Sequence, residues 1–312
     1  MMKQDWKKHD SEIRPGMVVE GKWHHKKYLI KKKLGAGAIG SVYLCDVNGS
    51  PAALKISDNS TSMTVEVNVL KSLEKVQGSR LGPYLLDVDD WTSPLGTKYA
   101  FYVMEYLKGE ALGPFIHQHG REWIGVFMIQ LLEDLNKLHQ SGWVFGDLKT
   151  ENLMVIQTPP RLRWVDVGGT TQIGRAIKEY TEFYDRGYWG MGTRRAEPSY
   201  DLFAFVMVFL HVYYPKRFEK GGNPEATLMR KLNEVKALTP YRHVLKKALT
   251  GKYTSSSDMK KELVQVLQRF QQQKQTRTQT RKKTKTSKPA AALELGGMTF
   301  LALGYYLLSL LF

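Results

Sequence analysis

A single cysteine, Cys45, in 312 residues excludes an internal disulfide framework and fits a reducing compartment. The opening residues Met1-Met-Lys-Gln-Asp-Trp6 hold no apolar segment, so no secretory address is expected there. No internal repeat runs along the chain, which sets repeat architectures aside. Acids are missing from residues 274–288, which carry seven Lys/Arg, and are few in 1–33, where ten Lys/Arg face four acids. Within a net charge of +16, such runs are either solvated faces or contacts with phosphates or an anionic membrane. Leu202–Leu210 is nine apolar residues in a row, too short to span a bilayer and read as a buried helix.

Hydrophobic residues make up 42% of the chain, a globular level, and its length suffices for two lobes with their own cores. Strand formers at Val18–Val19, Tyr28–Lys33, Ala52–Ile56 and Tyr99–Glu105 alternate with one helical spacing, Val65, Val69 and Leu73. Residues 16–107 therefore read as a strand-rich unit with one helix. From 108 to 273 the periodicity is helical: Glu122–Gln140 carries a broad apolar face, and further helices are expected at 226–237 and 241–249. A last helix is expected to start after the capping run Ser255-Ser-Ser-Asp258 and to end near Gln273. Residues 274–289 have almost nothing to bury and predict a flexible linker.

The final expected unit, 293–312, includes the charge-free run Leu295–Phe312. At ~1.5 Å per residue this run reaches roughly 27 Å, enough for a bilayer core. A basic run before such a span is what a cytoplasmic flank carries. The expected location is the cell membrane, with one C-terminal span and the remainder of the chain in the cytoplasm. The fold class is α+β, followed by a basic linker and a transmembrane helix.

The chemistry lies in Val144-Phe-Gly-Asp-Leu-Lys-Thr-Glu-Asn152 and in Asp166-Val-Gly168. One tight loop offers Asp147, Lys149 and Asn152, and a second acid, Asp166, follows nineteen residues after the first. Phosphoryl transfer needs this set: an acid to orient a hydroxyl, a cation for the transferring phosphate, and oxygen ligands for magnesium. Asp147 and Lys149 are the candidate catalytic residues, and Asn152 and Asp166 the candidate ligands of Mg²⁺ or Mn²⁺. Upstream, Gly35-x-Gly37-x-x-Gly40-x-Val42 is flanked by strand formers, unlike a dinucleotide site, which would open a helix. Lys55 in Ala-Leu-Lys-Ile would grip the α- and β-phosphates of ATP, with Glu66 as its anion. Met104-Glu105-Tyr106-Leu107 reads as a hinge whose backbone meets the adenine, with Val42, Ala53 and Met154 as apolar covers.

With these residues in place, the stretch from about 28 to 272 resembles a Hanks-type, eukaryotic-like protein kinase, and all six catalytic-class positions match. The resemblance implies a bilobal protein-kinase fold (β-rich N-lobe, helical C-lobe), ATP with Mg²⁺, and transfer to a protein side chain. Lys149 in Asp-Leu-Lys-x-x-Asn is similar to the serine/threonine branch. Asp166-Val-Gly-Gly-Thr-Thr, Asp185-Arg-Gly-Tyr-Trp-Gly and Ala196-Glu-Pro-Ser-Tyr-Asp201 resemble the small membrane-anchored kinases of spore-forming bacilli. That likeness implies a sporulation setting and DNA as an activator.

The departures from the family pattern are informative. Phe145-Gly146 replaces the usual His-Arg, so no arginine stands ready for an activation-loop phosphate. Replacing Thr170, Thr171 and Thr181 by alanine is therefore expected to leave most activity. Val167 stands for the usual phenylalanine, and the short stretch from Lys55 to Glu66 predicts a regulatory helix without its first turn. Ala196-Glu-Pro198 stands for Ala-Pro-Glu, and Gly251-Lys-Tyr-Thr-Ser-Ser lacks the arginine that would pair with the glutamate.

The expected function is thus a membrane-anchored serine/threonine protein kinase acting on protein Ser/Thr. Two readings compete with it: a pseudokinase or ATP-binding scaffold, and a kinase-like enzyme for a small molecule. Lys274, Arg277, Arg281, Lys282, Lys283, Lys285 and Lys288 suit DNA or anionic lipid. The linker has no aromatic residue for stacking, so DNA contact would be sequence-blind. Copies gathered as a dimer on either surface could phosphorylate the linker threonines.

Overall fold

The computed structural model describes residues 13–37, 39–74, 81–157, 159–177 and 179–283. The N-terminal lobe is one antiparallel sheet. Its strands are β1 (Val18–Glu20), β2 (Lys27–Ala36), β3 (Ser41–Val47), β4 (Ser50–Ser57), β5 (Leu85–Thr92) and β6 (Lys98–Glu105), ordered β1-β2-β3-β4-β6-β5. Asn48-Gly49, both at positive φ, make the tight β3–β4 turn that a two-residue hairpin requires. The sheet curls until its edges meet, where the Lys22 N–H donates to the Asp90 carbonyl at 2.8 Å.

The curl encloses a small core of Val19, Tyr28, Ile30, Tyr43, Leu54, Trp91 and Phe101. β5 runs against simple patterning: Asp87 and Asp89 face in while Leu86 and Val88 face out. Both acids are satisfied. Tyr28 and Lys26 reach Asp87, and the Trp23 and His24 N–H groups donate to Asp89. The other face of the sheet is covered by α1 (Ser60–Glu74), which buries Met63, Val67, Leu70 and Leu73.

The C-terminal lobe holds α2 (Leu112–His119), α3 (Trp123–Gln140), α4 (Pro198–Tyr213), α5 (Pro224–Glu234), α6 (Arg242–Leu249) and α7 (Ser256–Lys283). The apolar run 202–210 becomes the middle of α4, buried on all sides as its composition requires. Proline opens the helix at its first position, where the missing N–H costs nothing. Between α3 and α4, β8 (Trp143–Val144) pairs with β11 (Thr171–Gln172). The hairpin of β9 (Leu153–Gln157) and β10 (Pro160–Trp164), with β7 (Glu110–Ala111) alongside, forms a second small sheet. The architecture is bilobal, as expected.

One boundary is corrected. The helix expected to stop near Gln273 continues as α7 to Lys283, so the first ten residues of the predicted flexible linker are helical. Residues 274–283 contain no Gly or Pro, and extending a helix already nucleated by packing is far easier than starting one. The rest of that linker and the predicted span at 293–312 lie outside the described residues. Among the described residues, no helix is long and apolar enough to cross a membrane.

Candidate active site

The site is assembled where the two lobes meet. Lys55 on β4 lies between Leu54 and Ile56, and only 5% of its surface is exposed. Its Nζ sits 2.9 Å and 2.7 Å from the two carboxylate oxygens of Glu66, which lies in the second turn of α1. The helix thus begins early enough to seat Glu66 despite the short approach from Lys55. Asp166 lies two residues past the end of β10 and stands 3.5 Å from the same ammonium. Its carboxylate also accepts the Gly168 N–H at 2.9 Å and stays 43% exposed, open to a ligand. Burial works against the Lys55 charge, but Asp166 and Glu66 outweigh it and raise its pKa. Asp166 is held low, as Lys55 and the Gly168 N–H overcome burial.

Asp147, Lys149 and Asn152 come together as the sequence spacing predicts. Lys149 donates to Asp147 Oδ2, and the Asn152 amide donates to the Asp147 carbonyl at 2.9 Å. The Val165 N–H donates to the Asn152 carbonyl at 3.0 Å, which ties Asp166 to the same loop. Burial raises the Asp147 pKa, opposed by Lys149 and by the Thr181 hydroxyl. A raised but ionisable carboxyl suits a group that accepts or orients a proton.

Two glycines allow the loops to approach. A Cβ on Gly146, at φ +80°, would sit 2.5 Å from the Gly169 carbonyl oxygen, and one on Gly169 would sit 2.7 Å from Asp147 Cβ. No side chain fits at either place without moving backbone.

The loop is anchored from below by Asp201, fully buried in the first turn of α4. Its carboxylate accepts the Phe145 N–H at 2.7 Å, the Gly146 N–H at 3.0 Å and His139 Nε2 at 2.9 Å. With Nε2 donating, His139 Nδ1 accepts the Ser256 hydroxyl at 2.9 Å, joining the start of α7 to the same network. Phe145 packs edge-on against Trp164, so the apolar role of the replaced histidine survives.

The glycine segment belongs to the same sheet as Lys55. Gly35 pairs with Val42 across β2 and β3, and the Gly37 N–H donates to the Gly40 carbonyl at 2.8 Å. Val42 pairs with Lys55, and Ala53 with Met104, so these residues line neighbouring strands. Leu107 is buried, and Met154 lies under the Gly109 backbone. The Glu105 side chain is engaged elsewhere: it accepts Arg163 Nη2 at 3.0 Å and the Tyr84 N–H at 3.3 Å. Any contact of Glu105 with a nucleotide falls to its backbone, as expected for a hinge.

No cluster of three or more His, Cys, Asp or Glu side chains among the described residues could hold a metal alone. Asn152 and Asp166 nevertheless fit Mg²⁺, which takes few protein oxygens and completes its shell with water and phosphate.

Tyr102, Arg163, Thr181 and Asp201 have contacts here that the motifs alone do not indicate. Of the three threonines expected to be dispensable, Thr181 reaches the catalytic loop. Its Oγ1 donates to Asp147 Oδ1 at 3.2 Å, so its replacement by alanine touches the site directly. The stretch from Gly251 to Ser256 lacks an arginine, and Glu197 finds its partner elsewhere. Glu197 pairs with buried Arg186 at 2.6 Å, and Arg194 reaches the fully buried Asp185 at 2.7 Å. Both pairs lie within the segment itself and need no partner between the last helices.

Comparison with known proteins agrees with this geometry. The family described as "Protein kinase domain" matches residues 28–285. The chain is 50% identical over 264 residues to serine/threonine-protein kinase YabT of Bacillus subtilis (strain 168), covering 84% of this chain and 78% of that protein. It is 26% identical over 227 residues to sporulation protein kinase mde3 of Schizosaccharomyces pombe, covering 65% and 40%. It is 27% identical over 176 residues to serine/threonine-protein kinase PknG of Mycobacterium leprae, covering 52% and 22%.

Proposed function

Because this chain belongs to the protein kinase family and is a serine/threonine protein kinase, we propose that Asp147, Lys149, Asn152 and Asp166 carry the transfer. Asp147 receives the acceptor hydroxyl and orients its proton. Lys149 neutralises charge on the transferring phosphoryl group. Lys55, fixed by Glu66, would hold the α- and β-phosphates, while Asn152 and Asp166 would hold Mg²⁺. A metal held there would supply neutralisation of phosphate charge. The glycine segment covers the phosphates, and Val42, Ala53, Leu107 and Met154 cover the base.

The observation that carries this reading is the contact of Lys55 with both Glu66 and Asp166, beside an Asp147 held by Lys149 and Asn152. A scaffold without activity has no need for all of these groups in one place. Incubating the protein with labelled ATP, Mg²⁺ and protein acceptors tests it: label on Ser/Thr supports the assignment, and none on any acceptor contradicts it.

We further propose that the chain is anchored in the cell membrane through 293–312, with its lobes in the cytoplasm, and acts during sporulation. Support comes from the charge-free run after a basic flank, and from the likeness to YabT over 84% of the chain. The basic residues of 274–288 are proposed to contact DNA without sequence preference and thereby stimulate transfer. Seven phosphate contacts would give a salt slope on the order of −5 to −6. Exchanging Arg281, Lys282, Lys283 and Lys285 for glutamine tests the idea; stimulation by DNA that survives the exchange counts against it.

A further inference from the structure

Lys55 and Tyr102 are direct cross-strand partners on β4 and β6, so both side chains stand on the sheet face that α1 covers. Facing them from that helix is Glu66, 1% exposed. A carboxylate this deep needs several polar partners to remain charged. It has two: Lys55 touches both of its oxygens, and the Tyr102 hydroxyl donates to Oε2 at 2.8 Å. Burial pushes the Glu66 carboxyl up, while Lys55 and Tyr102 pull it back. Tyr102 is itself 2% exposed, and burial beside Glu66 drives its ionisation far above the usual phenol value. Its hydroxyl therefore stays a donor throughout the working pH range.

Resting on the kinase reading above, we propose that Tyr102 is a positioning residue for phosphoryl transfer: its hydroxyl clamps Glu66 and thereby holds α1 and Lys55 in the arrangement that meets nucleotide phosphates. Nothing else among the described residues reaches Glu66 with a polar atom except Lys55. The chain has no arginine before Asp147 to convert a loop phosphate into helix position. Its catalytic loop is instead anchored by Asp201, and the segment after Thr181 by its own ion pairs. The clamp on Glu66 completes this arrangement within the N-terminal lobe. The helix is held by the fold rather than by a modification.

The sheet supplies a matched control. Tyr28 is 1% exposed and donates to Asp87 at 2.5 Å, but on the other face, in the small core away from Lys55. Tyr102→Phe and Tyr28→Phe each remove one hydroxyl from a buried carboxylate and keep the ring. For Tyr102→Phe, kcat/KM for ATP is expected to fall roughly tenfold to a hundredfold, the equivalent of one hydrogen bond to a buried charge. KM for the protein acceptor is expected to stay within about twofold, since only the nucleotide side is disturbed. The acid-side loss of ATP binding should move to higher pH, because Glu66 loses a bond that favours its charged form.

The rise in thermal midpoint on adding ATP with Mg²⁺ should shrink for Tyr102→Phe and persist for Tyr28→Phe. That binding measurement reads the clamp even if no acceptor is labelled, so its outcome is separate from that of the transfer assay. An active parent with a Tyr102→Phe variant of unchanged kcat/KM overturns the clamp and leaves the kinase reading intact. Equal losses in the two variants also overturn it, since they would reflect general destabilisation.

Discussion

Arg186, 5% exposed, donates to Glu197 across 2.6 Å, and the same guanidinium reaches the Ser199 hydroxyl at 2.7 Å and the Thr193 carbonyl at 2.7 Å. One side chain thus staples the segment leading into α4. Its neighbour Asp185 accepts from Arg194, Tyr200 and two backbone N–H groups. The two acid–base pairs interlock, and the segment between Thr181 and Pro198 is folded on itself.

This staple shapes the segment that leads from Thr181 into α4, which is expected to serve the protein acceptor. Arg186→Met should raise KM for a protein acceptor by roughly tenfold, the scale of one charged hydrogen bond. KM for ATP should change by less than about twofold. Steady-state kinetics with each substrate varied in turn check the split.

Asp147 gives a pH signature. Transfer requires its charged form, so activity is present above its pKa and fails as pH falls through it. Burial already places that acid limb above the ordinary aspartate range, while Lys149 and Thr181 restrain the rise. Thr181→Ala removes one restraint and should move the limb further up in pH, whereas Thr171→Ala should leave it in place. Initial rates across pH, at saturating ATP and acceptor, test both.

Arg163 links three parts of the nucleotide cleft. It is 7% exposed, donates to the Gly82 carbonyl at 2.9 Å and to the hinge residue Glu105 at 3.0 Å, and belongs to β10. Arg163→Ala frees the hinge and should raise KM for ATP by about threefold to thirtyfold, with little effect on the acceptor. Competition with a nucleotide analogue provides the measurement.

Asp201→Ala would leave the Phe145 and Gly146 N–H groups buried without an acceptor. Each such group costs about 1–3 kcal/mol. At about 2–4 °C per kcal/mol for a domain of this size, thermal unfolding should come several degrees earlier. Activity at low temperature should fall as well, because the catalytic loop loses its anchor.

Most of the nucleotide side was legible in the sequence because chemistry fixes both residue type and spacing there. Lys55, Glu66, Asp147, Lys149, Asn152 and Asp166 meet in space as their order suggests. What stayed hidden depended on register. Tyr102 reaches Glu66 because β4 and β6 pair Lys55 with Tyr102, and no local pattern states that pairing. β5 hides its acids and shows Leu86 and Val88, so period-two reading would turn it inside out. The arginine that pairs with Glu197 lies not between the last helices but eleven residues upstream, at Arg186, where no family pattern points. The end of α7 was misplaced because a polar sequence reads as linker, although helix propagation carries it onward to Lys283.

The central claim is that Asp147 serves transfer to a hydroxyl within an assembled ATP site. The most direct test compares label transfer from ATP to a protein acceptor by the intact chain and by Asp147→Asn, with ATP-dependent thermal stabilisation measured on both. Phosphoserine or phosphothreonine is expected with the parent, a loss of at least about a hundredfold in the variant, and equal stabilisation of both by ATP with Mg²⁺. Undiminished transfer by Asp147→Asn would contradict it.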